Sequence, residues 1–247
     1  MLLQEHWLPQ QDLLSLSNLN DSFKFIAKSP VDLSQGSLVG RPFGGLAILW
    51  RENIDSSISP YECFDNRICG IVLEGENNRK SLLLNVYLPY ESNDNTNLFF
   101  EYLDVIKDLF DNSNYEEVVV CGDFNADPSG RFFSFLNDFC NNESLLVRDM
   151  RYFLEIGMPN VFTFESEAHG STSWLDHVVC SQNVNSRLTN FQVLYEFQLS
   201  DHYPLFFTFV DAIHKDHQQI PHTNLQQCSP RIDFSKLSTN QKYVYVS

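Results

Sequence analysis

Short apolar runs separated by polar turns make up most of the sequence, and most of them have the length of β-strands. Only two segments, 97–110 and 131–139, repeat apolar residues at the spacing of a helix with one buried face. The polar stretch 74–80 between two of the runs predicts a β-hairpin. Many strands with few helices predict sheets packed on each other, with helices outside. The predicted strands are 46–50, 68–73, 82–88, 118–120, 161–164, 173–179, 191–194 and 205–210.

The composition is that of a globular protein, because 43% of the 247 residues are hydrophobic and that length can bury a full core. The first residues contain neither a basic segment followed by an apolar run nor a membrane-spanning stretch. Six cysteines are scattered without a C-x-x-C pair, which favours a reducing compartment and argues against a cysteine-bound zinc. We therefore expect a monomeric, intracellular protein of the nucleus or cytoplasm with no membrane partner.

The net charge of −16 changes the range of partners that the chain can bind. Proteins that bind nucleic acid usually neutralise phosphates with Lys and Arg, so a surface for a polyanion must here be local, weak or assisted by cations. Carboxylate clusters suit a hard divalent ion such as Mg²⁺, which takes oxygen ligands and can bridge protein to phosphate.

The apolar run 118–120 leads into Cys121-Gly122-Asp123-Phe124-Asn125 and then to a proline at position 128. Alternate residues of a strand face the same side, so we expect Asp123 and Asn125 to share a side and Phe124 to enter the core. A carboxylate beside a carboxamide can accept a proton from water and hold that water in place. The alternative is a turn in which both side chains only bind the backbone.

Polar side chains end five strand-like segments in order along the chain. These segments are Gln4-Glu5, Asn85-Val86-Tyr87-Leu88-Pro89, Gly122-Asp123-Phe124-Asn125, Ser173-Trp174-Leu175-Asp176 and Ser200-Asp201-His202-Tyr203-Pro204. In this order they resemble the endonuclease/exonuclease/phosphatase superfamily over residues 1 to about 210. The resemblance implies an α/β fold, a two-sheet sandwich flanked by helices. The Gly-Asp-Phe-Asn-Ala and Ser-Trp-Leu-Asp-His forms look most like the apurinic-type endonuclease domain of non-LTR (LINE-type) retrotransposons.

The resemblance implies a role for each polar residue of the catalytic set. Asp123 looks like the group that accepts a proton from the attacking water, and Asn125 would orient that water. His202 would stabilise the charge that develops on the scissile phosphate. Asp176 would hold His202 in the required tautomer and orientation. Tyr87 would donate a hydrogen bond to the phosphate.

The same resemblance implies a cofactor and a substrate. Glu5 looks like the ligand of Mg²⁺, with Mn²⁺ as a substitute, and Asp201 would support the metal. Thr163 and Ser173 would contact the phosphates of a DNA substrate. Trp174 could stack on a base or sugar, although a packed strand tryptophan is the alternative. His177 should point to the opposite side of its strand from Asp176, so we assign it a structural role.

The chain departs from the superfamily at its start. Members carry a strand ahead of the Gln-Glu motif, and we expect its loss to leave backbone groups of the sheet unpaired. We therefore expect an N-terminally truncated domain at 1–210, followed by a polar linker or tail at 211–247 that would join a reverse transcriptase in the parent polyprotein. The leading hypothesis is a Mg²⁺-dependent endonuclease that nicks DNA. The alternatives are a catalytically impaired retroelement remnant that at most binds partners, or a phosphatase of the same superfamily.

Overall fold

The computed structural model describes residues 1–36, 43–63, 65–75, 78–113, 115, 117–197, 200–210 and 244–246. The strands are β1 (Leu2–Gln4), β2 (Phe23–Lys28), β3 (Leu46–Arg51), β4 (Ile58–Tyr61), β5 (Ile68–Glu74), β6 (Lys80–Tyr87), β7 (Glu117–Asp123), β8 (Leu145–Val147), β9 (Phe164–Ser166), β10 (Ser171–Ser173), β11 (Asp176–Ser181), β12 (Leu188–Val193), β13 (Leu205–Phe209) and β14 (Val244–Val246). The α-helices are α1 (Thr96–Asp111), α2 (Arg131–Asn142) and α3 (Arg148–Glu155). Short 3₁₀ segments lie at Gln10–Leu19, Leu33–Gln35, Glu52–Ser57 and Gln182–Arg187.

Two six-stranded sheets form the framework of the described residues. One has the strand order β12-β13-β14-β1-β3-β2, the other has the order β4-β5-β6-β7-β11-β8, and β9 pairs with β10 as a separate hairpin. One apolar cluster joins residues of both sheets, among them Ile48 of β3, Val119 of β7 and Leu205 of β13. The predicted α/β sandwich of two sheets with helices outside is therefore confirmed.

Strand alternation decides which core each residue of β7 enters. Val119 and Cys121 belong to the cluster shared by the two sheets, whereas Val118 and Val120 pack in a second cluster with Phe99 of α1 and other residues of α1 and α2. A third cluster covers the outer side of β1 and β3 with apolar residues of the segment Gln10–Leu19. β7 is thus buried on both faces, which explains its near-continuous apolar sequence.

The sequence pattern located most regular elements and missed the more polar ones. The two predicted helices correspond to α1 and α2, and the predicted hairpin is formed by β5 and β6, with Glu74 opposite Lys80. The predicted strand 173–179 is divided into β10 and β11. Helix α3 was not predicted because four of its eight residues are charged, and β2 was not predicted because its residues are at most partly buried.

Strand β1 is paired along both edges. It is antiparallel to β3 on one side and to β14 on the other, and Leu205 of β13 faces Val246 in parallel pairing. The expectation that this part of the sheet has unpaired backbone groups is therefore wrong for β1. Of the predicted linker at 211–247, residues 211–243 and 247 lie outside the described residues. In the described part of the chain, no helix combines the length and the apolar character needed to cross a membrane.

Strand β14 is the only hydrogen-bonded link between β13 and β1 among the described strands. Proline at position 245 removes a backbone donor from the middle of this strand, and proline is not tolerated in central strands. We expect Tyr245→Pro to lower the free energy of unfolding by about 2–4 kcal/mol, measured by denaturant titration. Tyr245→Val keeps the backbone donor and is the control. Equal stability of the two variants would contradict the pairing.

Candidate active site

Strand register brings three of the predicted residues to one place. Tyr87 at the end of β6 pairs with Asp123 at the end of β7, and Asp123 also pairs with Asp176 at the start of β11. Residues directly opposite each other on neighbouring strands face the same side of a sheet. The phenol and the two carboxylates therefore lie side by side across three adjacent strands.

Close approach of β6 and β7 is needed for this register. Gly122 has a φ of 134°, and a Cβ atom at that position would lie 2.2 Å from the carbonyl oxygen of Val86. Any other residue would force the two strands apart immediately before Asp123. The glycine of the Gly-Asp-Phe-Asn segment therefore has a steric function.

His202 lies against Asp176 from the loop that precedes β13. Its Nδ1 is 2.8 Å from Oδ2 of Asp176, and both side chains are buried. The backbone around His202 is fixed by β9, since Tyr203 N donates to Thr163 O at 2.7 Å and Glu165 N donates to Asp201 O at 2.8 Å. With Nδ1 on Asp176, the other ring nitrogen faces Asp123, and Nε2 lies 3.9 Å from Asp123 Oδ2.

Asn125 is bound to Asp123 through both its backbone and its side chain. Its backbone N–H donates to Oδ1 of Asp123 at 2.8 Å, and its Nδ2 donates to Oδ2 of Asp123 at 3.1 Å and to Leu88 O at 2.9 Å. Asn125 has a φ of 50°, so it lies beyond the end of β7 and is not part of the strand. Phe124 is buried in the second apolar cluster, as expected. The alternative interpretation predicted turn contacts of this kind, and here the contacts from Asn125 orient the Asp123 carboxylate.

The charges of Asp123 and His202 depend on each other. Burial raises the pKa of Asp123 from 3.8 to about 7; the His202 charge opposes this rise, whereas Asp176 and Glu5 add to it. Burial disfavours the charged form of His202, but the Asp176 and Asp123 carboxylates raise its pKa from 6.5 to about 9. Near neutral pH, the buried His202 imidazolium therefore faces the Asp123 carboxyl group, which titrates near this pH.

Glu5 approaches this group from the first sheet. It follows β1 with a φ of 53°, and its Oε1 accepts a hydrogen bond from the Tyr87 hydroxyl. Burial and the Glu5 charge raise the pKa of Tyr87, so the phenol remains protonated and can donate. Glu5 also raises the pKa of Asp123, which places the two carboxylates in one electrostatic environment.

A buried amide pair that was not given a role from the sequence fixes β1 against β6. Asn85 Nδ2 donates to Leu3 O at 2.9 Å and to Ala47 O at 3.0 Å, and Asn85 Oδ1 accepts from Gln4 Nε2. These contacts cross from one sheet to the other immediately before Glu5 and Tyr87. The available signal was a carboxamide inside an otherwise apolar strand run.

The predicted substrate contacts of Thr163 and Trp174 are wrong because both side chains are buried. The Thr163 side chain is 0% exposed, and its Oγ1 accepts the backbone N–H groups of Leu175 and Asp176 at 3.0 Å each. It therefore positions Asp176 and cannot contact substrate. Trp174 is 4% exposed and its Nε1 donates to Asp149, so its ring is not available for stacking on a base. Ser173 is partly exposed on β10, and its predicted phosphate contact stays a prediction.

The carboxylates of Glu5 and Asp201 suit a divalent ion that keeps some of its waters better than an ion held only by protein. Among the described residues, no three or more His, Cys, Asp or Glu side chains are grouped so that they could hold a metal. Mg²⁺ usually keeps several waters and is bound through one or two carboxylates. Glu5 and the partly exposed Asp201, whose charge raises the pKa of His202, have the required oxygen chemistry.

A family model described as the Endonuclease/Exonuclease/phosphatase family matches residues 1–202, which is most of the chain. The chain belongs to this family. No curated protein sequence matches it. The endonuclease/exonuclease/phosphatase membership that the five segments indicated is therefore confirmed.

Solved structures with low sequence identity share the endonuclease/exonuclease/phosphatase fold. The AP endonuclease LMAP from Leishmania major aligns with a TM-score of 0.64 at 14% identity, covering 82% of this chain and 75% of that one. The 3′-5′ exonuclease NExo from Neisseria meningitidis aligns with a TM-score of 0.58 at 15% identity, covering 82% and 85%. The endonuclease domain of TRAS1, a telomere-specific non-LTR retrotransposon, aligns with a TM-score of 0.53 at 13% identity, covering 74% and 77%.

Replacing Asp176 tests the origin of the His202 charge. In Asp176→Asn we expect the pKa of His202 to fall from about 9 by at least one unit, because the nearest carboxylate is lost. NMR titration of the His202 ring measures this shift. The exposed Asp104→Asn variant of α1 is the control and should leave the pKa unchanged.

The same substitution should change how stability depends on pH. A folded-state pKa of about 9, above the ordinary 6.5, means that His202 contributes full stability below pH 6.5, and that this contribution disappears as pH rises through 9. Folding raises the pKa of Asp123 from 3.8 to about 7, so stability also falls as pH rises between these two values. Asp176→Asn should flatten the decline between pH 6.5 and 9. An unchanged slope would show that His202 is not responsible for it.

Proposed function

We propose that this member of the family is a Mg²⁺-dependent phosphodiester hydrolase that nicks DNA. The observation that carries the proposal is the pairing of Asp123 with His202, whose Oδ2 and Nε2 face each other 3.9 Å apart in a buried setting. Asp176 behind His202 and Asn125 beside Asp123 hold the two groups in place. This separation is too long for a direct hydrogen bond, and a water or a phosphate oxygen can bridge it.

Asp123 is the proposed general base. Its ionised carboxylate accepts one proton from a water whose oxygen attacks phosphorus, and the bond from phosphorus to the leaving sugar oxygen breaks. A pKa of about 7 keeps a substantial fraction of Asp123 ionised at neutral pH while making that form a stronger base than an ordinary carboxylate. The leaving oxygen takes a proton from solvent.

His202 is proposed to stabilise charge rather than to transfer a proton. With its pKa at about 9, the ring is cationic at neutral pH and Nε2–H can donate to a phosphoryl oxygen. Charge-assisted donors aimed at the reacting phosphate lower the barrier most when they are buried and already oriented. Tyr87, kept protonated, would add a neutral donor from β6, and Ser173 a further phosphate contact.

Glu5 and Asp201 would hold Mg²⁺, or Mn²⁺ in its place. The ion supplies positive charge that offsets the developing negative charge on the phosphate. For a chain with a net charge of −16, such an ion is also a means of approaching a phosphate backbone.

DNA is the proposed substrate, and a non-LTR retrotransposon polyprotein with a reverse transcriptase is the proposed context. The motif forms around Asp123 and Asp176 support this choice, and the fold shared with the TRAS1 endonuclease domain is consistent with it. A monomer in the nucleus or cytoplasm would meet this substrate directly.

A supercoiled-plasmid nicking assay tests the proposed reaction. We expect nicking with Mg²⁺ and none with EDTA, and Asp123→Asn should lower the rate by about 100-fold or more because it removes the base. The exposed Asp104→Asn variant should retain the wild-type rate. Full activity of Asp123→Asn would exclude the mechanism. No nicking by the wild-type chain would favour the impaired remnant, and release of phosphate from 3′-phosphorylated DNA without nicking would favour a phosphatase.

Glu5 is expected to determine the affinity for the metal. Glu5→Gln removes the negative charge but keeps the length of the side chain, so the Mg²⁺ concentration for half-maximal nicking should rise about tenfold. Calorimetric Mg²⁺ titration should show the same loss without substrate. Glu101→Gln on the exposed side of α1 is the control. If Glu5→Gln binds Mg²⁺ as the wild type does, Glu5 is not a ligand.

A further inference from the structure

The side of β11 opposite the catalytic residues carries a second acid–imidazole pair. His177 follows Asp176 directly, points the other way and is 0% exposed. Its Nδ1 lies 3.0 Å from Oδ2 of Asp149 on α3, and its Nε2 lies 2.8 Å from the carbonyl oxygen of Ala126. The proposed reaction described above uses neither His177 nor Asp149.

The partners of His177 determine its protonation. A carbonyl oxygen only accepts, so Nε2 must carry a hydrogen. Asp149 already accepts Val178 N at 2.9 Å on Oδ1 and Trp174 Nε1 at 3.0 Å on Oδ2. Oδ2 of Asp149 also lies against Nδ1, and a carboxylate oxygen accepts, so Nδ1 carries a hydrogen as well. His177 is therefore an imidazolium with both N–H groups engaged.

The surroundings of His177 are apolar apart from a few charged groups. The rings of Phe124, Phe133 and Trp174 surround it at centroid distances of 6.1, 5.3 and 5.9 Å. Its burial disfavours charge, yet the Asp149 carboxylate, the Ala126 contact and Asp176 raise the pKa of His177 above its ordinary value. Hydrogen bonds from Ser129 and from the Trp174 backbone lower the pKa of Asp127, and the nearby His177 acts in the same direction.

The Ala126 carbonyl belongs to the loop that carries Asn125. Asn125 has a left-handed φ of 50°, a conformation that needs support from its surroundings in a residue other than glycine. On the far side of Ala126, Asp127 Oδ2 accepts the backbone N–H of Trp174 at 2.9 Å. His177 of β11 and the backbone of Trp174, which precedes β11, therefore both bind the Ala126-Asp127 segment.

We propose that His177 is a positioning residue for the Asp123–Asn125 pair, acting through its N–H donation to the Ala126 carbonyl. This contact holds the loop so that Asn125 N and Nδ2 reach the two oxygens of Asp123. Asp149 orients the ring and balances its charge. β11 thus carries one member of each acid–imidazole pair, Asp176 on the side of the catalytic residues and His177 on the side of the loop. The catalytic part of this proposal rests on the proposed hydrolase function.

The protonation of His177 is tested without any activity measurement. NMR of the ¹⁵N-labelled chain should show His177 with both ring nitrogens protonated at pH 6.5, because its pKa is raised above that ordinary value. An Nε2 that carries no hydrogen would overturn the proposal.

Two isosteric variants separate the contacts of His177. In His177→Gln the side-chain amide nitrogen takes the place of Nε2 and keeps the Ala126 bond, whereas in His177→Asn it takes the place of Nδ1 and keeps only the Asp149 bond. We expect hydrogen exchange at the Asn125 amide to accelerate at least tenfold in His177→Asn and less than threefold in His177→Gln. Equal acceleration in both, or none in His177→Asn, would overturn the proposal even if the chain has no nuclease activity.

The nicking assay then tests the link to catalysis. His177→Asn should lower kcat by at least tenfold with KM changed less than twofold, and His177→Gln should stay within threefold of the wild-type kcat. Wild-type kcat in His177→Asn would overturn the catalytic role. Equal losses in both variants that follow their melting temperatures would also overturn it, because they would indicate only a structural residue. Absence of nicking by the wild type itself would refute the proposed function, while the exchange and NMR results would still decide the positioning role.

Discussion

The active-site geometry depends on the register of three neighbouring strands. β6 runs parallel to β7, and β11 runs antiparallel to it, so that Tyr87, Asp123 and Asp176 come level with each other at one edge. A shift of one residue would turn these side chains into the opposite apolar cluster and move Phe124 or His177 into the site. The close approach of β6 and β7 requires a glycine at position 122. Both the strand register and the active site therefore depend on this glycine.

Buried charge is arranged in pairs on both sides of β11. Asp176 with His202 on one side, and Asp149 with His177 on the other, each join a carboxylate to an imidazole at 2.8 and 3.0 Å. Isolated buried charges cost several kcal/mol, and pairing with additional hydrogen bonds is what makes them tolerable. Neighbouring groups position each acid: Val178 N donates to Asp149, and Thr163 Oγ1 accepts the backbone N–H groups of Leu175 and Asp176. This arrangement stiffens the strand that lies between the two pairs.

The site draws its residues from both sheets, so its geometry also depends on how the sheets are joined. Glu5 follows β1 of the first sheet and meets Tyr87 of the second, and the Asn85 contacts to Leu3 and Ala47 fix that approach. On the other side of β1, β14 separates it from β13, which His202 precedes. The distance between the proposed metal ligand and the proposed phosphate contact therefore depends on pairing that involves residues far apart in the sequence.

The sequence alone determined the class of fold, most regular elements and the set of polar residues at strand ends, because strand alternation, helical spacing and short motifs are local properties. It could not decide what lies against each side chain. Thr163 and Trp174 had the chemistry of substrate contacts, yet tertiary packing buries both. Strand alternation predicted the side of β11 that His177 faces, but not the two acceptors, Asp149 and the Ala126 carbonyl, that bind its ring. Only the tertiary structure shows that the loop after Asp123, the central residue of the sequence motif, is bound to His177. The contact between His177 and the Ala126 carbonyl joins positions 51 residues apart, so local sequence patterns cannot reveal it.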